Sequence, residues 1–173
     1  MAALGVPGSA CCADCDPVQG CIAIGAASGE VALFGRAGAA QIILPPPEPP
    51  APVRFVRFGI DGVILLVQHA GLAGAMRLWR LGRSVKLEAT LDVPAPVACV
   101  ARGVRSPFMF LGTECATVLA VDPAGCQLRE VARAPVAPGP GERGANSARC
   151  AALCALEVNP AAPTRLLLGE RGG

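Results

Sequence analysis

A short strand-turn-strand pattern recurs along this 173-residue chain and constrains its fold more than any other feature. In each copy, an apolar run is followed by a turn rich in Gly, Ser or Ala and then by a second run of alternating or β-branched residues. The copies occupy residues 22–25 with 30–34, 63–67 with 75–81, and 108–112 with 117–121, and a shortened fourth copy begins at 165–169. Alignment on Leu33, Leu78 and Leu119 gives spacings of 78 − 33 = 45 and 119 − 78 = 41 residues.

A repeat of this length is typical of one particular β architecture. Each copy reads as an antiparallel hairpin that cannot bury both faces alone, so neighbouring copies must cover one another. WD-type propeller blades recur every ~40 to 45 residues, and a ring usually needs ~4 to 8 of them. The sequence therefore predicts an all-β fold, an incomplete WD-repeat β-propeller of about three blades plus part of a fourth.

Two segments interrupt the repeat and set the predicted domain boundaries. Residues 44–52 are rich in Pro, which cannot donate to a sheet, and are predicted to be an extended connector; an SH3 or profilin ligand is the alternative. Residues 134–149 have the composition of a flexible Pro/Gly insertion. Gly112 and Gly169 lie 57 residues apart, and 57 − 16 = 41 restores the period. We thus expect propeller blades in 1–133, the insertion in 134–149, and the truncated start of the next blade in 150–173.

Charge and hydropathy exclude several classes of function. The chain has 15 basic and 13 acidic residues, a balance that argues against nucleic-acid binding. No run approaches the roughly 18 to 20 apolar residues that span a bilayer, and the first ten residues lack the features of a secretory signal. A cytoplasmic protein, with at most peripheral membrane association, is expected.

Nine cysteines in a chain without a predicted export signal are expected to be free thiols. Cys12 and Cys15 form a CxxC motif, and Cys150 with Cys154 could complete a zinc site. Buried, small hydrophobic cysteines are the favoured interpretation, because the second spacing is loose and His69 is the only imidazole. A redox CxxC would require a βαβ context, which the sequence lacks.

The remaining catalytic signals are weak. Residues 139–144 match GxGxxG but lie in a Pro-Gly loop without a preceding strand. His69 falls in or beside the second hairpin turn, without a nucleophile elbow elsewhere, and is expected to be solvated. The basic residues Arg77, Arg80, Arg83 and Lys86 are expected to occupy a solvated strand and turn, since a spacing of three alternates faces in a strand. No catalytic residue, metal or cofactor is predicted, and an enzyme is not expected.

Several phrases resemble the lethal giant larvae polarity proteins and their relatives, the tomosyns. The first-blade phrase consists of Gly5-Val6-Pro7, Asp16-Pro17-Val18-Gln19-Gly20, Ala23-Ile24-Gly25, Ser28-Gly29 and Phe34-Gly35. Later matches are Arg77-Leu78-Trp79, Leu111-Gly112-Thr113-Glu114, Leu166-Leu167-Leu168-Gly169 and Arg171-Gly172. The stretch with Ala155-Leu156, Asn159-Pro160 and Pro163 looks more like the lethal giant larvae branch. The resemblance covers most of the chain.

This resemblance implies a non-enzymatic scaffold in cell polarity and regulated exocytosis at the cell cortex. Family members bind syntaxin-type SNAREs, myosin II and the atypical protein kinase C polarity complex, and are linked to small GTPases. Loops at residues 26–29, 68–74 and 113–116 are the candidate contact sites, because loops carry the binding surfaces of rigid folds. The alternative function is that of a generic WD-repeat adaptor in another complex.

Overall fold

A computed structural model describes residues 5, 7–35, 41–59, 62–70, 75–102 and 108–133, together with the backbone of two later strands at 153–158 and 166–170. The chain divides into two compact units, Met1–Val93 and Pro94–Gly173. None of the described residues forms a helix, so none forms one able to cross a membrane.

The first unit contains two four-stranded antiparallel sheets in which the strands follow one another in chain order. Blade 1 consists of β1 (Ala10–Asp16), β2 (Cys21–Ala26), β3 (Val31–Phe34) and β4 (Ile42–Leu44). Blade 2 consists of β5 (Val53–Phe58), β6 (Ile64–His69), β7 (Ala75–Leu81) and β8 (Val85–Asp92). The first strand of blade 2, β5, packs against β1 and β2 of blade 1.

The second unit repeats the arrangement. Blade 3 consists of β9 (Val97–Arg102), β10 (Met109–Thr113), β11 (Thr117–Asp122) and β12 (Gln127–Arg133). Strands β13 (Leu153–Val158) and β14 (Leu166–Glu170) form a two-stranded sheet, and β13 packs against β9 and β10. The predicted fold class is confirmed: the chain is all-β, with three WD-type blades and part of a fourth.

A β-bulge marks the first strand of every blade. The register against the second strand shifts by one residue and leaves an extra residue at Cys11, Arg54, Ala98 and Cys154. The first three recur at 54 − 11 = 43 and 98 − 54 = 44 residues, which is the period of the repeat. Because a bulge bends and twists its strand locally, the first strand of each blade is bent at the same position.

A main-chain hydrogen bond also recurs in each complete blade. The residue after the second strand donates its N–H to the carbonyl of the residue before the first strand. The pairs are Ala27 to Ser9 at 2.8 Å, Ala70 to Pro52 at 2.7 Å and Glu114 to Pro96 at 2.9 Å. In each blade this bond thus joins the first two strands at the end where the turn between the second and third strands lies.

The core of the first unit lies between its two sheets. Ala23, Val31 and Leu33 of blade 1 belong to one buried cluster with Phe58 and Trp79 of blade 2. Both aromatic members of this cluster come from blade 2. A chain with 3% aromatic residues therefore still forms a closed core there.

The predicted hairpins correspond to the two central strands of each blade, and 165–169 corresponds to β14. The connector begins where β4 ends, so that 45–52 joins blade 1 to blade 2. Residues 134–149 lie outside the described part of the chain. The boundary between the compact units, at Val93 and Pro94, falls within the predicted segment 1–133.

Candidate interaction surface

One end of the first unit carries the tight turn between β2 and β3. Ala26 accepts a bond from the Gly29 N–H and donates to Glu30, both at 3.0 Å. Gly29 closes the turn at a φ of 90°, in the left-handed region that favours glycine. The side chains of Ala27, Ser28 and Glu30 are exposed, and the Ser28 hydroxyl donates to the Glu30 carboxylate at 3.4 Å. The turn therefore presents small polar groups to solvent on a fixed backbone.

The Pro-rich connector 45–52 packs against this turn. A β-carbon on Gly29 would lie 2.5 Å from the Ala51 carbonyl oxygen and 3.0 Å from Pro46. Arg77 of β7 donates to the Pro45 carbonyl at 3.2 Å, and Pro47 is buried. The connector is thus fixed by contacts with both blades, an observation that favours a structural connector over a free proline-rich ligand.

His69 is the link between the end of β6 and the blade 1 turn. Its side chain is 4% exposed, and Nε2 donates to the Gly29 carbonyl at 3.0 Å. Burial lowers the pKa of His69 below its ordinary value of 6.5; the bond to Gly29 opposes the shift and the nearby Arg77 charge adds to it. The expectation of a solvated turn histidine is wrong, because β6 extends through residue 69 and the buried ring is bonded to Gly29 of blade 1.

The candidate loops 26–29 and 68–74 therefore approach each other through Gly29 and His69. Residues 71–74 of the second loop lie outside the described part of the chain. The third candidate loop, 113–116, belongs to the second unit. There the Thr113 hydroxyl accepts from the Thr117 N–H and donates to its carbonyl, both at 3.1 Å. Ala116 occupies the position of Gly29 with a φ of 58°, and Cys115 is exposed at the tip.

The CxxC motif is divided between two faces of β1. Cys12 lies half-buried against blade 2, whereas Cys15 is exposed on the opposite face. Burial raises the pKa of the Cys12 thiol above its ordinary 9.0, and the neighbouring Cys11 raises it further. Residues three apart in a strand point in opposite directions, so Cys12 and Cys15 cannot share an ion through this motif. Within the described ranges, no group of three or more His, Cys, Asp or Glu could hold a metal.

The cysteines are only partly the buried residues that the sequence indicated. Cys21 is buried, but Cys11, Cys15 and Cys115 are exposed. Cys150 lies outside the described residues, as does the GxGxxG match at 139–144, and only the backbone of Cys154 is described.

The basic residues of β7 and β8 do not form one patch. Arg77 and Arg80 lie on opposite faces of β7, because Arg77 pairs with Val67 and Arg80 with Ile64 in the register. Arg80 forms an ion pair with Glu88 at 2.9 Å, and both side chains are more than one third exposed. The pair thus belongs to the solvated outer part of blade 2.

Two aspartates of β1 face blade 2, and Asp14 bonds to it, a role that the sequence analysis missed. The Asp14 carboxylate accepts from the Phe58 N–H of β5 at 2.8 Å. Asp16 accepts from the Val18 N–H at 3.0 Å, while its other oxygen is buried against Gly62 without a hydrogen-bond partner among the described residues. The available signal was their spacing of two in a strand, which places Asp14 and Asp16 with Cys12 on one face.

Comparison with known proteins supports the fold alone. No family model and no curated protein matches the chain. Among solved structures, Chaetomium thermophilum Raptor superposes with a TM-score of 0.63 and 18% identity over 92% of this chain and 14% of that chain. A chain of the mitotic checkpoint complex gives 0.59 and 14% identity over 88% of this chain and 42% of its own. Both are WD-repeat propeller proteins, and this chain spans less than half the length of either.

Proposed function

We propose that this chain is part of a non-enzymatic, lethal giant larvae-like scaffold that acts in cell polarity and regulated exocytosis at the cell cortex. Its partners would be syntaxin-type SNAREs, myosin II and the atypical protein kinase C complex. The fold is that of WD-repeat interaction modules, in which rigid sheets hold turns at fixed positions for binding.

The observation that carries the proposal is where the residues of the first-blade phrase lie. Gly20, Gly29 and Gly35 all adopt positive φ values, of 65°, 90° and 85°. Gly25 lies so close to blade 2 that a β-carbon would be 2.5 Å from Val53. The phrase thus coincides with the turns and the blade contact that shape blade 1, which supports a resemblance in structure as well as in letters.

The candidate surface is the end of the first unit that carries the β2–β3 turn and the connector. Ser28 and Glu30 are exposed there, and the turn backbone is held by His69 and Ala51. Val18 lies in the β1–β2 turn, at the opposite end of blade 1, and is 88% exposed. Substitutions at these two ends separate surface chemistry from effects on the fold.

The test is direct binding of the full chain to the cytoplasmic domain of a syntaxin-type SNARE and to the myosin II tail, measured by biolayer interferometry. We expect the double variant Ser28→Arg, Glu30→Arg to weaken binding to at least one of them, and Val18→Lys to leave it unchanged. If neither protein binds the folded wild-type chain, the proposal fails.

The second candidate is a WD-repeat adaptor of another complex. The observation that favours it is that one similar structure is a chain of the mitotic checkpoint complex. Affinity purification of the tagged chain from cells distinguishes the two. Recovery of SNAREs or myosin II favours the first candidate, whereas recovery of ubiquitin-ligase or RNA-processing subunits without them favours the second.

A further inference from the structure

His69 joins the end of β6 in blade 2 to the β2–β3 turn of blade 1. Its ring is 4% exposed, and Nε2 donates to the carbonyl of Gly29, which lies 40 positions earlier in the chain, at 3.0 Å. Gly29 belongs to the turn that presents Ser28 and Glu30 to solvent. The position of these two exposed side chains therefore depends in part on the ring of His69.

The charge nearest to the ring in effect is positive. Arg77 of the neighbouring strand β7 disfavours a charge on His69. Other charged residues on the adjoining elements are Arg54 of β5, Glu30 of the turn and Glu48 of the connector, and all three are exposed. The Arg77 charge is the one that acts on the ring, so a protonated His69 would have a like charge beside it.

A protonated His69 is more stable in water than in its buried position. Burial has the largest effect and lowers the pKa of the ring below 6.5, Arg77 acts in the same direction, and the bond to Gly29 opposes both. A ring that becomes charged therefore gains free energy when it moves out to solvent. The Gly29 carbonyl then loses its donor, and the turn loses its contact with β6.

The turn can open while the sheets stay paired, because few main-chain bonds close it. Ala26 accepts from the Gly29 N–H and donates to the Glu30 carbonyl, both at 3.0 Å. Strand β6, in contrast, is paired with β5 and with β7 along its length. Segments with few hydrogen bonds open at a lower free energy than central strands.

We propose that His69 is a pH switch for the β2–β3 turn of blade 1. The neutral ring holds the Gly29 carbonyl and keeps Ser28 and Glu30 in one position. Protonation moves the ring out to solvent, and the turn opens while both sheets remain folded. The switch is a property of this chain alone and does not depend on the binding partners proposed above.

The experiment is amide hydrogen exchange of the full chain, followed by NMR at pH 7.5 and 5.5 and corrected for the intrinsic exchange rates. His69 is the only histidine, and exposed carboxylates stay largely ionised in this range. Opening at the N–H groups of Ala26 and Gly29 should increase by up to about tenfold at pH 5.5, one unit below 6.5. The N–H of Leu66, at the centre of β6, should stay at least about tenfold better protected at both pH values.

Two controls isolate the ring. The variant His69→Gln keeps a side-chain N–H donor but cannot gain a proton, so its turn should open equally at both pH values. The corresponding turn of blade 3 contains no histidine, and there the Ala116 N–H donates to the Thr113 carbonyl at 3.2 Å. Its corrected exchange should not change with pH. This comparison within the wild type keeps the proposal testable if His69→Gln does not fold.

Three results would overturn the proposal. The first is equal corrected exchange of Ala26 and Gly29 at pH 7.5 and 5.5. The second is equal protection of the turn and of Leu66, which would mean that the turn opens only when the whole unit unfolds. The third is a folded His69→Gln variant whose turn keeps the pH dependence of the wild type.

Discussion

Gly29 combines three roles in the contact between blades 1 and 2. Its φ of 90° closes the β2–β3 turn, its α-carbon lies against the connector at Ala51, and its carbonyl accepts the bond from His69. Only a residue without a side chain fits all three. At this position the fold depends on the absence of a side chain.

Replacing Gly29 with Ala should destabilise the chain by about 2 kcal/mol or more. The new methyl group would lie 2.5 Å from the Ala51 carbonyl oxygen, and the left-handed backbone adds about 1 to 2 kcal/mol for a residue with a β-carbon. Urea unfolding monitored by far-UV circular dichroism measures the change. Gly8→Ala is the control, because a β-carbon there meets nothing within 4 Å; equal midpoints for the two variants would contradict the structure.

His69 should make stability depend on pH from about 6.5, the ordinary pKa of the imidazole, downward. Its pKa is lowered on folding, so its contribution is complete above the unfolded value of 6.5 and is lost as the pH falls through the folded pKa. One proton limits the slope to about 1.4 kcal/mol per pH unit. Urea midpoints of the wild type should fall on acidification, and His69→Gln should remove that dependence. An unchanged pH profile in the variant would refute the assignment.

Strand β1 forms and packs against blade 2 although its sequence has little hydrophobic alternation. Its residues, ACCADCD, contain no β-branched or aromatic side chain, and its hydrophobic pattern predicts no strand. Even residues from Cys12 to Asp16 face blade 2, while Ala13 and Cys15 face outward. Tertiary pairing with β2 and packing against β5 therefore override a low local propensity.

Asp14 should contribute to the contact between β1 and β5 through its carboxylate. Asp14→Ala leaves the Phe58 N–H without this acceptor, at an expected cost of about 1 to 2 kcal/mol. Asp14→Asn keeps an acceptor oxygen and should recover most of that loss. Thermal unfolding of the three proteins measures the order wild type, Asn, Ala. If Ala proves as stable as the wild type, the bond does not hold the blades together.

Alkylation rates should separate the two cysteines of the CxxC motif. Cys15 should react with iodoacetamide much faster than Cys12, because Cys12 is half-buried and its pKa is raised. Mass spectrometry of the digested chain measures both rates, and unfolding in urea should make them similar. Equal native rates would mean that β1 does not divide the motif.

At the scale of the whole molecule, the repeat is more regular in the structure than in the sequence. The bulge in the first strand and the main-chain bond that closes its end recur from blade to blade with different side chains each time. Both features are made by the backbone, so different residues occupy them in different blades. A blade of this chain is therefore recognised by the spacing of its strands and by its turns rather than by a fixed set of residues.

Trp79 provides a reporter for the first unit alone. It is the only tryptophan, is 7% exposed, and lies in the core between blades 1 and 2. The native chain should show a blue-shifted emission maximum and weak quenching by acrylamide, both of which are lost in urea. A native spectrum like that of free tryptophan would show that this core is not formed in solution.

The sequence by itself determined the central hairpins and the all-β fold of three blades and part of a fourth. Alternation, glycine turns and the repeat length are local properties of the chain, and they were sufficient there. Tertiary structure alone decided that His69 is buried and bonded to Gly29, that Ala10–Asp16 forms a strand, and that Asp14 binds β5. The reason is that burial and partners depend on strand register and on contacts between residues some 40 positions apart, which no local pattern encodes.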